Sequence, residues 1–141
     1  MVEKKEANDL MLVYTLIRKE NLKPHEQYNE QRLDEVLRGI KDKGCVCEPI
    51  IVDNKNYVIL DGHHRFESLK RLGANFIPAY LVNYESSKII VERWPNAKDS
   101  VSKKEVIERA LSNNLYPPKT SKHVFLITLD KIQTKLSILY E

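Results

Sequence analysis

The chain has 141 residues, with 23 Lys and Arg against 20 Asp and Glu and a formal net charge of +3. This length corresponds to one ordinary domain, which can form a core without metal or disulfide crosslinks. With 42% apolar and 30% charged residues, the composition excludes a disordered chain and a strongly basic nucleic-acid tail. No apolar run approaches the ~20 residues of a membrane span, and the charged start lacks a secretory pattern. We therefore expect a cytoplasmic protein with no membrane partner.

The first half of the chain predicts two strand regions around one helix. Residues 10–17 are apolar and partly β-branched, which indicates a buried strand. Apolar residues recur at helical spacing across 29–43, which predicts a helix there. Two short strands are expected at 48–53 and 56–61, and the two-residue turn at 54–55 can close them into a hairpin.

The second half begins with regular elements and then changes character. A helix is predicted over 66–72, ending at Gly73, and a strand over 76–82 follows it. Residues 86–99 are expected to be irregular, because no helical or strand period runs through them.

A helical start signal follows, and after it a stretch with two prolines. Ser102 and Glu105 fit a capping box, so a helix should run from there to about Asn113. The prolines in 116–123 argue against regular structure. Together the elements predict an α+β fold, a small mixed sheet with packed helices, in a single domain over residues 1–141.

The two cysteines, Cys45 and Cys47, are separated by one residue and share a face of any strand. They are interpreted as structural or surface cysteines. A redox or metal role is the alternative, although no further ligand of suitable spacing lies nearby in the sequence.

All four histidines fall in three polar stretches, at residues 23–27, 61–65 and 117–123. Each stretch lies in a loop or at the end of an element, where scaffolds place binding groups. This distribution suggests one composite site, although sequence alone does not prove that the three stretches meet.

The stretch 61–65 reads Asp61-Gly62-His63-His64-Arg65. A strand runs into Asp61, Gly62 permits a tight backbone, and a helix begins near His63 or His64. The free amides of that first turn can bind an anion, Arg65 can bind phosphate through two bonds, and Asp61 can hold Mg²⁺ against phosphate oxygens. The alternative is that Asp61 only caps the helix and the histidines are solvated.

The other two stretches leave their alternatives equally open. Glu26 is either a general base or a carboxylate that stabilises a helix N-terminus. Lys119, Thr120, Ser121 and His123 either bind a phosphate or carboxylate, or belong to a polar surface loop. Trp94, the only tryptophan, either contacts a ligand or packs against the protein.

The three stretches in this order resemble the ParB/sulfiredoxin-like superfamily, and within it the free serine kinases of archaea. The similarity runs through residues 22–82 and continues in the motif "PKTSKHV" at 118–124. The resemblance implies phosphorylation of free L-serine to O-phosphoserine with ATP or ADP as donor. A sulfiredoxin has a catalytic cysteine in the turn equivalent to 61–65, and this turn has none. A chromosome-segregating ParB has an Arg-rich turn and a later helix-turn-helix, which residues 83–141 do not suggest.

The resemblance also implies a role for individual residues. The core would span about 10–84, and an extension over about 85–141 would complete the site. Glu26 would be the catalytic base, and Asp61 a catalytic residue that holds Mg²⁺. The nucleotide phosphates would be bound by Gly62, His63, His64 and Arg65, and the serine substrate by Trp94, Lys119, Thr120 and His123.

Some relatives carry a long insertion between the tryptophan and the "PKT" motif, where this chain has only about twenty-five residues. By analogy the compact form favours ATP over ADP. The resemblance also implies a role in the supply of cysteine or phosphoserine. The alternatives to a kinase are a ParB-like, nucleotide-dependent DNA-binding module, a nuclease, or a nucleotide-binding regulator without catalysis. L-serine and an adenine nucleotide are the expected partners, and nucleic acid is not.

Overall fold

The computed structural model describes residues 9–141. Its strands and helices follow one another along the chain in this order: β1 (Val13–Arg18), α1 (Glu30–Lys43), β2 (Cys45–Val46), β3 (Ile50–Asp53), β4 (Ile59–Asp61), α2 (His63–Arg71), β5 (Phe76–Val82), β6 (Ile89–Arg93), α3 (Lys103–Leu111), β7 (Ser121–Phe125), β8 (Thr134–Lys135) and α4 (Leu136–Leu139). None of the helices within residues 9–141 has the length and apolar character that crossing a membrane requires.

The main sheet has four strands in the order β1-β5-β3-β4. β1 and β5 are antiparallel, β3 and β5 are parallel, and β3 and β4 are antiparallel. All four residues of β3 are buried, because both faces of this central strand are covered. The predicted α+β fold with a small mixed sheet is confirmed.

Two separate apolar cores cover the two faces of this sheet. One contains Phe66 and Leu69 of α2 together with Leu139 of α4. The other contains Ile89 of β6 and Val106 of α3, so the segment after residue 85 packs on the second face. Burial of apolar side chains holds that segment against the sheet, and each Å² of buried apolar surface contributes roughly 25 cal/mol of stabilising free energy.

Two stretches that were predicted to be irregular contain strands, and that part of the prediction is wrong. β6 lies within 86–99, and β7 begins at Ser121, inside 116–123. The two strands pair antiparallel, with Arg93 opposite Ser121 and Ile89 opposite Phe125. Each strand is stabilised by pairing with the other, which lies about thirty residues away in the sequence. No local pattern encodes that pairing.

The hairpin between β3 and β4 also differs from the two-residue turn that was predicted. The Asp53 amide donates to the Val58 carbonyl at 2.9 Å, so four residues lie between them. The buried Asp53 carboxylate accepts a bond of 2.9 Å from the Asn56 amide, and Tyr57 adopts φ +58°. A four-residue loop, stabilised by the Asp53 side chain, thereby takes the place of the two-residue turn.

Gly62 is the residue between β4 and α2, and it has φ +105°. A Cβ atom added there would lie 2.6 Å from Ile50 Cγ2, which belongs to the buried central strand. Both the backbone conformation and the lack of space therefore require glycine at this position.

We expect Gly62→Ala to lower the free energy of unfolding by at least about 2 kcal/mol, because it combines a disfavoured φ with a clash against the core. Gly39→Ala is the matched control: Gly39 lies in α1 with no atom within 4 Å of the added carbon, so this change should add roughly 0.5–1 kcal/mol. Urea unfolding measures both. Equal effects at the two positions would contradict this account of Gly62.

Candidate active site

The turn at 61–65 leads directly from a strand into a helix. β4 ends at Asp61 and α2 begins at His63, with Gly62 as N-cap and no side-chain hydrogen bond to the cap. The first amides of a helix have no partner within it. Together with the helix dipole they form a site for an anion such as phosphate.

Arg65 lies on the first turn of α2 and is fixed by the protein. Its Nη2 atom donates to the Pro49 carbonyl at 3.2 Å and lies 3.7 Å from Asp61 Oδ2. Its Nε atom is buried without a hydrogen-bond partner. The Asp61 side chain is 57% exposed, so the carboxylate beside this arginine remains open to a ligand.

His63 and His64 hold the segment that carries Glu26 against α2. His63 Nε2 accepts a bond from the His25 amide at 3.2 Å, and His64 Nε2 accepts one from the Asn29 amide at 3.1 Å. Burial is the main cause that lowers the pKa of both rings, strongly for His63. Both rings are therefore neutral at pH 7, and each keeps an Nδ1–H donor.

The Glu26 carboxylate accepts hydrogen bonds from three consecutive residues of the loop that leads into β7. Lys119 N donates to Oε2 at 3.2 Å, Thr120 N to Oε1 at 3.3 Å, and Ser121 N to Oε1 at 2.8 Å. Ser121 Oγ adds a fourth bond of 2.8 Å to Oε1. Burial raises the pKa of the Glu26 carboxyl, and the Ser121 bonds act in the opposite direction.

His25 lies behind Glu26 and is only 1% exposed. Its Nδ1 atom is 2.7 Å from the Ile59 carbonyl, and its Nε2 atom is 2.8 Å from Ser121 Oγ. Burial lowers the pKa of His25 to about 4. The imidazole is therefore neutral, and because a carbonyl only accepts, Nδ1 carries the proton.

The C-terminal segment contributes His123 and Trp94 from paired strands and their ends. His123 Nε2 is hydrogen-bonded to the Tyr84 hydroxyl at 2.8 Å, and burial lowers the pKa of His123 to about 3. Trp94 follows β6, and the Lys122 ammonium lies 4.9 Å from the centre of its indole. This contact is a cation–π interaction, which holds a positive charge beside an aromatic face.

Most of the predicted site residues line one cavity of about 390 Å³. It brings together Glu26, Asp61, Gly62, His63, His64, Arg65, Trp94 and His123. Lys119 lies outside it, in a neighbouring cavity that also contacts Glu26. Thr120 is buried, and its hydroxyl donates to the Pro117 carbonyl at 2.7 Å. The substrate roles of Lys119 and Thr120 remain predictions.

Seven further residues line the cavity without a site role of their own assigned from the sequence: His25, Gln27, Arg32, Val36, Leu60, Ser121 and Lys122. His25 and Ser121 lie inside two of the polar stretches, so the candidate site residues beside them in the sequence were the signal that could have identified them. Arg32 is an exposed residue on α1, which resembles any charged position on an amphipathic helix.

The residues fit Mg²⁺ only as a shared ion. Between residues 9 and 141, no group of three or more His, Cys, Asp or Glu side chains is arranged to hold a metal. Mg²⁺ commonly takes one or two carboxylates plus substrate phosphates and water. The open Asp61 carboxylate next to the anion-binding turn meets that requirement.

Comparison with known proteins gives the family. Residues 2–93 match the family described as ParB N-terminal domain. The ADP-dependent L-serine kinase of Thermococcus kodakarensis is 31% identical over 107 residues, which cover 72% of this chain and 43% of that protein. An ATP-dependent L-serine kinase of Staphylothermus marinus is 34% identical over 83 residues, 56% of this chain and 33% of that protein.

A solved structure of a free serine kinase in complex with AMP has the same fold. It superposes with a TM-score of 0.82 at 20% identity and covers 89% of this chain and 93% of that chain. The chain belongs to the ParB N-terminal domain family, as its motifs predict. It spans less than half the length of the two curated kinases.

The lowered pKa of His123 predicts a loss of stability in acid. Because the folded-state pKa is about 3 and the unfolded value about 6.5, the unfolded chain binds more protons between these values. The free energy of unfolding should therefore fall as the pH drops below 6.5, by up to about 1.4 kcal/mol per pH unit for this residue.

Urea unfolding at pH 7, 6 and 5 measures this slope. In His123→Gln, the free energy of unfolding should change less with pH than in the wild type. A smaller slope should remain in the variant, because the pKa of the neighbouring His25 is also lowered. Tyr84→Phe is the control, because it removes the hydrogen bond but keeps the histidine in its buried position. An identical slope in wild type and His123→Gln would contradict the neutral ring.

Proposed function

We propose that this protein is a free L-serine kinase, which transfers a phosphoryl group from an adenine nucleotide to the serine hydroxyl and forms O-phosphoserine. One observation carries the proposal: a carboxylate and an anion-binding turn with an arginine line the same cavity of about 390 Å³. A kinase needs an acceptor-side base and a phosphate site facing each other. The serine kinases among the relatives support the choice of serine.

The reaction moves one phosphoryl group and one proton. Glu26 orients the serine hydroxyl and accepts its proton, while the serine oxygen bonds to phosphorus and the bond to the nucleotide's leaving oxygen breaks. The phosphate oxygens are held by the backbone amides of Gly62 to His64, by the Nδ1–H groups of His63 and His64, and by Arg65. Mg²⁺ held by Asp61 would supply charge neutralisation on those oxygens. Positioning and electrostatic stabilisation provide most of the rate in such transfers.

The acceptor side of the proposal uses the C-terminal extension. Trp94 and His123 border the cavity from residues after 85, and Lys119 and Thr120 position Glu26 through their amides. We therefore assign serine binding to these four residues. The site requires the extension, so residues 1–141 act as one domain in this proposal.

The donor is proposed to be ATP, as in the relative from Staphylothermus marinus, and ADP is the alternative that the experiment below compares directly. Serine phosphorylation would serve cysteine or phosphoserine supply. Cys45 and Cys47 are unpaired, which fits the reducing environment of the cytoplasm as the proposed location.

Glu26→Gln should lower kcat by roughly 10²–10⁴-fold with a small change in the KM for serine, because the amide cannot accept the proton. The measurement is ³¹P NMR of protein with L-serine, Mg²⁺ and either ATP or ADP, which also identifies the donor. Glu108→Gln on the exposed side of α3 is the control and should retain the wild-type rate. No phosphoserine from the wild type with either donor would refute the kinase.

Arg65→Lys should weaken nucleotide binding by about tenfold or more and lower kcat as well. Lysine keeps the charge but loses the planar fork, and one hydrogen bond to a charged group contributes roughly 1.5–3 kcal/mol. Calorimetric titration with the nucleotide gives the Kd. Arg38→Lys, at an exposed position of α1, is the matched control. If the two variants bound nucleotide equally well, Arg65 would not be a phosphate ligand.

A further inference from the structure

Three side chains form a continuous hydrogen-bonded chain from the cavity into the core. Glu26 Oε1 lies 2.8 Å from Ser121 Oγ, and Ser121 Oγ lies 2.8 Å from His25 Nε2. At the inner end, His25 Nδ1 lies 2.7 Å from the carbonyl oxygen of Ile59. The kinase mechanism above uses only the outermost of these groups, Glu26.

The number of protons in this chain is fixed by its chemistry. The Ile59 carbonyl only accepts, so Nδ1 of His25 holds a proton, and Nε2 of the neutral ring is an acceptor. An ionised Glu26 is also only an acceptor. Ser121 has a single hydroxyl proton, and it can serve the contact with Glu26 or the contact with His25. With Glu26 ionised and His25 neutral, the chain is one proton short of two complete hydrogen bonds.

We propose that Ser121 and His25 form a proton relay behind Glu26, which takes up and shares the proton that Glu26 removes from the acceptor hydroxyl. The inference rests on the proposed kinase function for the source of that proton. When the proton reaches Glu26, it completes both hydrogen bonds of the chain. The protonated form is thereby stabilised by a bond that the unprotonated form lacks.

The relay step moves protons only. The acceptor O–H bond breaks as its oxygen bonds to phosphorus, and the leaving oxygen departs with the electron pair of the broken P–O bond. The proton on Glu26 passes to Ser121 Oγ while the Ser121 proton passes to Nε2 of His25. After product release the proton returns by the same route and leaves from Glu26 to water.

The groups packed around the chain carry little fixed charge. The rings of His63 and His123 lie 4.6 and 5.5 Å from that of His25, and the ring of Tyr116 lies 6.4 Å away. Burial keeps both neighbouring histidines neutral, since it lowers the pKa of each.

The cations lie on the cavity side. Arg32, Arg65 and Lys122 line the cavity with Glu26 and Asp61, and Lys119 borders the adjoining one. Burial disfavours charge on His25 and on Glu26 alike. The neutral arrangement, with the proton on Glu26 and the Ser121 hydroxyl turned to His25, is therefore the resting form of the protonated chain, and transfer through Ser121 to His25 is a transient step that forms a buried ion pair.

The first test follows the relay without any catalysis. Protein with ¹⁵N-labelled histidine and ¹³C-labelled glutamate is titrated by NMR, and His25→Gln and Glu26→Gln assign the two signals. Strongly coupled groups show common macroscopic midpoints. We expect the His25 ring nitrogens and the Glu26 carboxyl carbon to share their midpoints in the wild type and in Ser121→Thr, which keeps a hydroxyl. In Ser121→Ala the midpoints should separate.

The second test uses single-turnover phosphorylation of serine. Ser121→Ala should lower the maximal single-turnover rate by roughly tenfold or more, with little change in the serine concentration that gives half of that rate. Ser121→Thr should restore most of the rate. The rate in mixtures of H₂O and D₂O should curve with deuterium fraction in the wild type, as two moving protons require, and be linear in Ser121→Ala. Ser87→Ala, at an exposed serine, is the control and should match the wild type.

The two tests separate the relay from the kinase. Independent midpoints for His25 and Glu26 in the wild type, or midpoints unchanged in Ser121→Ala, would overturn the relay even in an active kinase. Shared midpoints in a protein that forms no phosphoserine would keep the coupled chain and refute the kinase. A Ser121→Ala variant that loses only serine affinity would assign Ser121 to substrate binding and overturn the relay.

Discussion

The hydrogen bonds between the Glu26 carboxylate and the amides of residues 119–121 join the two halves of the site. Glu26 belongs to the segment before α1, and the amides belong to the loop that enters β7. Each of these amides needs a partner once the loop is packed on the protein, and a carboxylate is a strong acceptor. The same contact therefore sets the position of the proposed base and the start of the strand that carries Ser121 and His123.

Local patterns predicted the parts of the site that local physics determines. Gly62, the start of α2 and the helical period of α1 depend on backbone sterics and amphipathic spacing, which are visible in a few neighbouring residues. The strands β6 and β7 escaped prediction although Ile89, Ile90 and Val91 of β6 favour a strand, because the apolar run is short and its pairing with β7, about thirty residues away, is not visible locally. The three histidine stretches indicated a composite site, but their contacts depend on the packing of the segment after 85 on the second sheet face.

The same limit applies to the individual roles. Arg65 was predicted from its residue type beside a glycine turn, whereas the role of Glu26 as base came from the family resemblance, because the residues alone left a helix-stabilising carboxylate equally open. His25 and Ser121 were not assigned, because their importance comes from distances of 2.7–2.8 Å to partners far along the chain. Likewise, the sequence does not show the charge state of the histidines, whereas burial lowers the pKa of all four and makes them neutral donors and acceptors. The fixed positive charge of the cavity comes from Arg32, Arg65 and Lys122.

The antiparallel pairing of β6 with β7 has a consequence for how this chain and its longer relatives can differ in length. Because Arg93 pairs with Ser121 and Val91 with His123, the ends of the intervening segment are held together by strand hydrogen bonds and not by the segment itself. Doubling the length of such a closed loop costs only about 0.6 kcal/mol in chain entropy. Residues can thus be gained or lost between the two strands during evolution while Trp94, Ser121 and His123 keep their places, so that the intervening segment can diversify on an unchanged frame.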